Sequence, residues 1–226
     1  MTRMRVIIEN VSPCVDNGRF RAKRVIGEPV IVEADAFTDG HDVVACTLQF
    51  RQPDSPDWHS TGMAPVGNDR WRGEFTPVAL GDCTFTVTAW VDHIDTWRLA
   101  LRKKHDAGQN VDVDLLRGAE LVTELAGRAA AGDALELKQL ARSLADSKRD
   151  LGEKIALAEH EALRGLSRRY PNPEFVTRHD PVLEIQVERQ RARFSTWYEM
   201  FPRSTSGKNG VHGTFADCEA HLPYIA

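Results

Sequence analysis

The chain has 226 residues, 42% of them hydrophobic, enough to bury an ordinary core in one large domain or two small ones. Its 29 Lys and Arg face 33 Asp and Glu, a net charge of −4, and the basic runs are short, so the broad positive field that holds a nucleic-acid backbone is not expected. No run of about eighteen apolar residues occurs, and "MTRMRVIIENV" is too brief and interrupted for an export leader, so no membrane partner and a cytoplasmic location are expected.

From Met4 to about Trp97 the apolar residues recur with period two. In "EPVIVEADAF" Val30, Val32, Ala34 and Ala36 share one face, opposite Ile31, Glu33 and Asp35. "VVACTLQF" aligns Val44, Cys46, Leu48 and Phe50, and "CTFTVTAWV" aligns Cys83, Phe85, Val87, Ala89 and Val91 against a face of threonines. Asn68-Asp69 predicts a hairpin turn into "RWRGEF", where Trp71, Gly73 and Phe75 alternate with Arg70, Arg72 and Glu74. Short strands punctuated by Gly, Pro, Asp and Asn predict an antiparallel β-sandwich of immunoglobulin-like proportions over residues 1–100. Cys14, Cys46, Cys83 and Cys218 are scattered without metal-ligand spacing, so they read as reduced packing residues.

Residues 101–170 change to a helical period. Leu115, Ala119, Val122, Leu125 and Ala126, then Leu137, Leu140 and Leu144, then Leu151, Ile155, Ala158 and Ala162 predict three amphipathic helices, with Asp133 as an N-cap between the first two. Thirteen basic residues against twelve acidic ones between Leu101 and Tyr170 read as a solvated outer face. Gly118, Gly127, Gly152 and Gly165 weaken the pattern, each costing about 1 kcal/mol against alanine inside a helix. Such short helices with wide apolar stripes must pack on the sandwich, on one another or on a second subunit.

Pro171 and Pro173 close the helical region, and residues 171–193 read as an extended return to the sandwich through Leu183, Ile185 and Val187. Residues 194–226 then predict a strand through Phe194, Thr196, Tyr198 and Met200, a long loop, and a helix from Phe215 to Ala226 interrupted by Pro223. That is one β/α unit, and a lone strand of this kind has no sheet of its own to join.

The blocks "GRFRAKRVIGEPVIVEADAFTDGHD", "RWRGEF", "RFSTWYEMFPRS" and "GVHGTFADCEAHLPYIA", in this order, make the chain resemble the N-terminal part of the bacterial α-1,4-glucan:maltose-1-phosphate maltosyltransferase family, from about Val6 to Ala226. The resemblance implies a retaining enzyme of the α-amylase superfamily, in which a β-sandwich with a helical insertion precedes a (β/α)₈ barrel, here cut after its first β/α unit. It implies maltosyl transfer from α-maltose 1-phosphate to the non-reducing end of an α-1,4-glucan with release of phosphate, without cofactor or metal, by a homodimer assembled through the N-terminal region. The catalytic carboxylates would then lie on later barrel strands, beyond residue 226, and the fragment alone would be inactive. The competing reading is a free-standing glucan-binding or dimerisation module.

On that barrel reading Arg203 and Ser204, at the C-terminal end of the first strand, occupy the active face and either support the site or shape its loop. Glu199 reads as a structural hydrogen-bonding group rather than the nucleophile. "STSGKNGVHG" lacks phosphate-loop spacing, His212 reads as a loop residue, and Asp92, His93 and Asp95 read as a strand-end turn without the second cluster a metal needs. Of Trp58, Trp71, Trp90 and Trp97, all assigned to the sandwich, Trp71 is the candidate glucan contact, although its alternation with Phe75 also suits a core face.

Overall fold

The computed structural model describes residues 5–225, so Met4 and Ala226 lie outside the described part. The chain divides into two compact units, Met1–Glu188 and Arg189–Ala226.

The larger unit is built on two sheets. One orders β1 (Val6–Ser12), β3 (Val30–Thr38), β7 (Arg70–Phe75) and β6 (Ala64–Gly67) side by side. The other orders β2 (Ala22–Val25), β10 (Leu183–Glu188), β8 (Gly81–Val91), β4 (Val44–Arg51) and β5 (His59–Gly62), with β9 (Thr177–Arg178) also on β8. Period-two burial joins them into a sandwich: Val30, Val32, Ala34, Trp71 and Phe75 from one sheet share a core with Leu48, Phe85, Val87, Leu183 and Ile185 from the other. Asn68 and Asp69 close the β6–β7 hairpin with φ of 49° and 59°, the left-handed pair a tight two-residue turn requires. One pair departs from the antiparallel expectation, since β10 runs parallel to β2. The two strands are separated by most of the chain, so no hairpin dictates their relative direction.

Between β8 and β9 the chain makes a helical excursion, and β9 and β10 both return to pair with β8. The excursion holds five helices rather than three: α1 (His93–Asp106), α2 (Asp112–Ala126), α3 (Ala131–Ala145), α4 (Leu151–Glu159) and α5 (Glu161–Arg169). They enclose their own core of Trp97, Leu101, Leu115, Val122, Leu125, Leu137, Leu144, Ala158 and Leu163. Trp97 therefore belongs to the helices and not to the sandwich. His160, extended at φ −60° and ψ 132°, ends α4 and caps α5 by accepting the Ala162 N–H, which splits the last expected helix in two. Asp133 is not an N-cap; α3 starts at Ala131, and the Asp133 carboxylate instead accepts from the Tyr170 hydroxyl at 2.7 Å.

The smaller unit holds a short 3₁₀ turn at Pro202–Ser204 and α6 (Phe215–Ile225). Among the described residues the expected strand does not form over Phe194–Met200: an extended chain without a pairing partner has nothing to donate to or accept from. Phe194, Trp197, Tyr198, Phe201, Phe215 and Tyr224 are exposed, Trp197 at 95%, and α6 buries no residue.

Candidate functional site

The smaller unit carries the candidate site. Its Pro202–Ser204 turn is closed by Ser204 N–H donating to the Phe201 carbonyl at 2.9 Å, while the Thr205 hydroxyl donates to the Pro202 carbonyl at 2.7 Å. The loop then doubles back, and the Gly213 N–H donates to the Arg203 carbonyl at 3.0 Å. A side chain at 213 would collide with the Pro202 carbonyl, so only glycine permits this closure. Thr214 and Asp217 cap α6 reciprocally: the Asp217 carboxylate accepts from the Thr214 N–H and hydroxyl, each at 2.7 Å, and the Thr214 oxygen accepts the Asp217 N–H. Those bonds, the hydroxyl first and the backbone N–H second, hold the Asp217 carboxyl below its ordinary value.

These closures shape an open groove of about 380 Å³ lined by Tyr198, Glu199, Met200, Phe201, Ser204, Thr205, Gly207 and His221. Of the expected positions, Glu199 and Ser204 line it and Arg203 does not; His212 is exposed elsewhere on the loop. His221 and Thr205 carry no spacing signal in the sequence, one being a lone histidine on a helix and the other a loop threonine. The groove offers one carboxylate, hydroxyls, an imidazole and aromatic rings, a set suited to a hydroxyl-rich ligand. Among the described residues no three His, Cys, Asp or Glu side chains converge as metal ligands.

Trp71 is corrected as a glucan contact. It is 8% exposed, and its indole N–H donates to the Ala36 carbonyl at 3.1 Å, so neither ring face is open to a sugar. Trp90 and Trp97 are buried as well.

In the larger unit the strand-to-helix junction carries an unanticipated buried cluster. Asp92, 1% exposed, caps α1 through the Asp95 N–H at 3.0 Å and accepts the Ser167 hydroxyl of α5 at 2.7 Å, while its second oxygen is buried without a partner. Burial raises its carboxyl above the ordinary value, against the opposing pull of those two hydrogen bonds. Asp95 forms ion pairs with Arg98 at 2.7 Å, Arg164 at 2.8 Å and Arg168 at 3.6 Å, tying α1 to α5. The cluster joins elements and has the character of a structural hub.

Comparison with known proteins gives a consistent result. The family description "Alpha-1,4-glucan:maltose-1-phosphate maltosyltransferase, domain N/S" matches residues 4–189. Proteins of that name from Chlorobaculum tepidum and Myxococcus xanthus are 45% and 40% identical, over 99% and 97% of this chain and 33% and 34% of their own lengths. One from Burkholderia pseudomallei is 40% identical over 98% of this chain and 20% of its own length. The chain thus spans about a third or less of these relatives and corresponds to their N-terminal part.

Proposed function

Because the chain belongs to the α-1,4-glucan:maltose-1-phosphate maltosyltransferase family, we propose that it is the assembly region of an enzyme that moves maltosyl units from α-maltose 1-phosphate to the non-reducing end of an α-1,4-glucan, releasing phosphate. The observation that carries this reading is the match of the domain N/S description to nearly the whole larger unit. The sandwich of immunoglobulin-like proportions is then a scaffold, and residues 194–226 are the first β/α unit of a catalytic (β/α)₈ barrel of the α-amylase type. The unpaired segment at Phe194–Met200 and the exposed aromatics around it support that role, since both need further strands and helices to cover them.

Retaining transfer needs a carboxylate nucleophile and a second carboxyl about 5 Å away as acid and base. We assign neither to this chain. Arg203 and Ser204 support the rim of the active face, with Ser204 and Glu199 lining its groove. The isolated chain is expected to release no phosphate from maltose 1-phosphate and glycogen, and turnover above a buffer blank would show that the chemistry had been misplaced.

Assembly is assigned to the helices as a homodimer contact. Leu135, Leu116 and Val113 are 61%, 52% and 78% exposed, and an open, partly apolar groove of about 340 Å³ runs along Leu137, Leu140, Leu157 and Leu163 between α3, α4 and α5. The four free thiols suit a reducing cytoplasm. Light scattering is expected to give a dimer that Leu135→Glu converts to monomer without loss of helical circular dichroism. Co-sedimentation with glycogen by a strictly monomeric wild-type chain would favour a free-standing glucan-binding module instead.

A further inference from the structure

The face of the larger sheet turned away from the sandwich core carries, at one edge, a group of hydrogen-bond donors that the proposed function leaves unused. Arg51 on β4 lies opposite Thr84 of β8, and Arg178 on β9 lies opposite Thr88. Thr84 and Thr88 share a strand face, the one turned away from the core residues Phe85, Val87 and Ala89, so both arginines stand on the outside of the same sheet. Trp58, just before β5, is within reach of both: the Arg178 and Arg51 guanidinium carbons sit 5.1 Å and 5.5 Å from its ring centroid. The ring is 40% exposed.

Among the described residues neither arginine forms an ion pair, although a carboxylate neighbour, Asp57, adjoins Trp58 in sequence. The Trp58 indole N–H likewise has no protein acceptor, whereas those of Trp71 and Trp97 donate to the Ala36 and Asp114 carbonyls. Two positive charges therefore meet at one aromatic ring, whose π face returns only about 0.5–1 kcal/mol per exposed cation. The convergence is donor-only: two planar guanidinium forks and one N–H, with no acceptor among them.

We propose that Arg51, Trp58 and Arg178 form an oxyanion site that takes a phosphoryl group, free or carried on a sugar. A tetrahedral dianion accepts from several directions at once and so satisfies donors on separate strands, where a carboxylate presents a single edge to one fork. The anion chemistry stands on these residues alone; the sugar carrier rests on the reaction proposed above.

Calorimetric titration of the 226-residue chain at low ionic strength tests this with inorganic phosphate, maltose 1-phosphate and maltose as probes. Phosphate and maltose 1-phosphate are expected to bind with dissociation constants on the order of 1 mM, and maltose not at all. Arg51→Gln and Arg178→Gln are each expected to weaken phosphate at least about fivefold, Trp58→Phe less so because the ring remains, and added salt to weaken all of it. Unchanged far-ultraviolet circular dichroism would certify that the variants fold. Binding of phosphate but not of maltose 1-phosphate supports the oxyanion site and counts against the proposed donor, so the two readings fail separately. No phosphate binding, phosphate binding indifferent to both arginine substitutions, or maltose binding as tightly as its phosphate overturns the site.

Discussion

At the scale of single residues, Asp92 is the group whose chemistry the fold most alters. Its carboxyl is raised by burial at the junction, so between the ordinary carboxylate range and its own higher value the unfolded chain gives up a proton that the folded chain keeps. Stability from this group is accordingly greatest below the ordinary value, falls as pH rises through that window, and is level above it. Asn at this position can still accept from the Asp95 N–H and the Ser167 hydroxyl, yet cannot ionise. Asp92→Asn should therefore gain on the wild type as pH rises, read from urea midpoints between about pH 3.5 and 7; a gap that does not vary with pH would show that Asp92 carries no raised carboxyl. The cysteines give a second residue-scale test. Burial pushes the Cys83 thiol up to about 11 and that of Cys46 higher still, whereas Cys14 is exposed. Iodoacetamide at neutral pH should label Cys14 at least tenfold faster than either buried thiol, as peptide mass mapping would reveal. Apolar strand context made the two buried cysteines legible in the sequence. Asp92 was not, because its burial comes from α5, which follows it by some seventy residues.

At the scale of elements, two glycines in the helical region should answer to alanine with opposite signs. Gly165 in α5 faces open space, so Gly165→Ala should stabilise by about 0.5–1 kcal/mol through helix propensity alone. Gly118 in α2 lies under the Trp97 indole, whose N–H donates to the Asp114 carbonyl at 2.7 Å, and a methyl there would land on the ring. Overpacking costs about 1–3 kcal/mol and outweighs the same propensity gain, so Gly118→Ala should lower stability by about 1–2 kcal/mol. Thermal unfolding of the two variants in parallel checks this, and a gain at both positions would mean that Trp97 does not pack on α2. Three-and-four spacing announced α2 and α3 correctly, as period two announced β3, β4, β7 and β8. It passed over α1, where only Ile94, Trp97 and Leu101 among the apolar residues are buried, and it ran α4 and α5 together because no Pro or Gly marks His160. Phe194–Met200 alternated as well as any true strand. Alternation records which side of a strand is apolar and is silent on whether a neighbour exists to take its hydrogen bonds.

For the molecule as a whole, both sheets and both cores are completed by Glu188. Removal of residues 189–226 should leave the melting temperature within a few degrees of the full chain, keep the helix-borne dimer and reduce association beyond it, since six exposed aromatics leave with the smaller unit. Scanning calorimetry with light scattering would check both; collapse of the remaining unit would show that its stability depends on the smaller one. The amino-acid sequence alone determined the family, the alternating faces of the sandwich strands, the Asn68-Asp69 hairpin and the helical nature of the middle third, because periodicity and turn chemistry are local and survive in one dimension. Only the tertiary structure decided that β10 runs parallel beside β2, that Trp71 is sealed in the core, that Asp92 is a buried hub, and that Arg51 and Arg178 meet at Trp58. Each of these depends on which distant segments become neighbours, and that is settled by burial and backbone pairing summed over the whole chain.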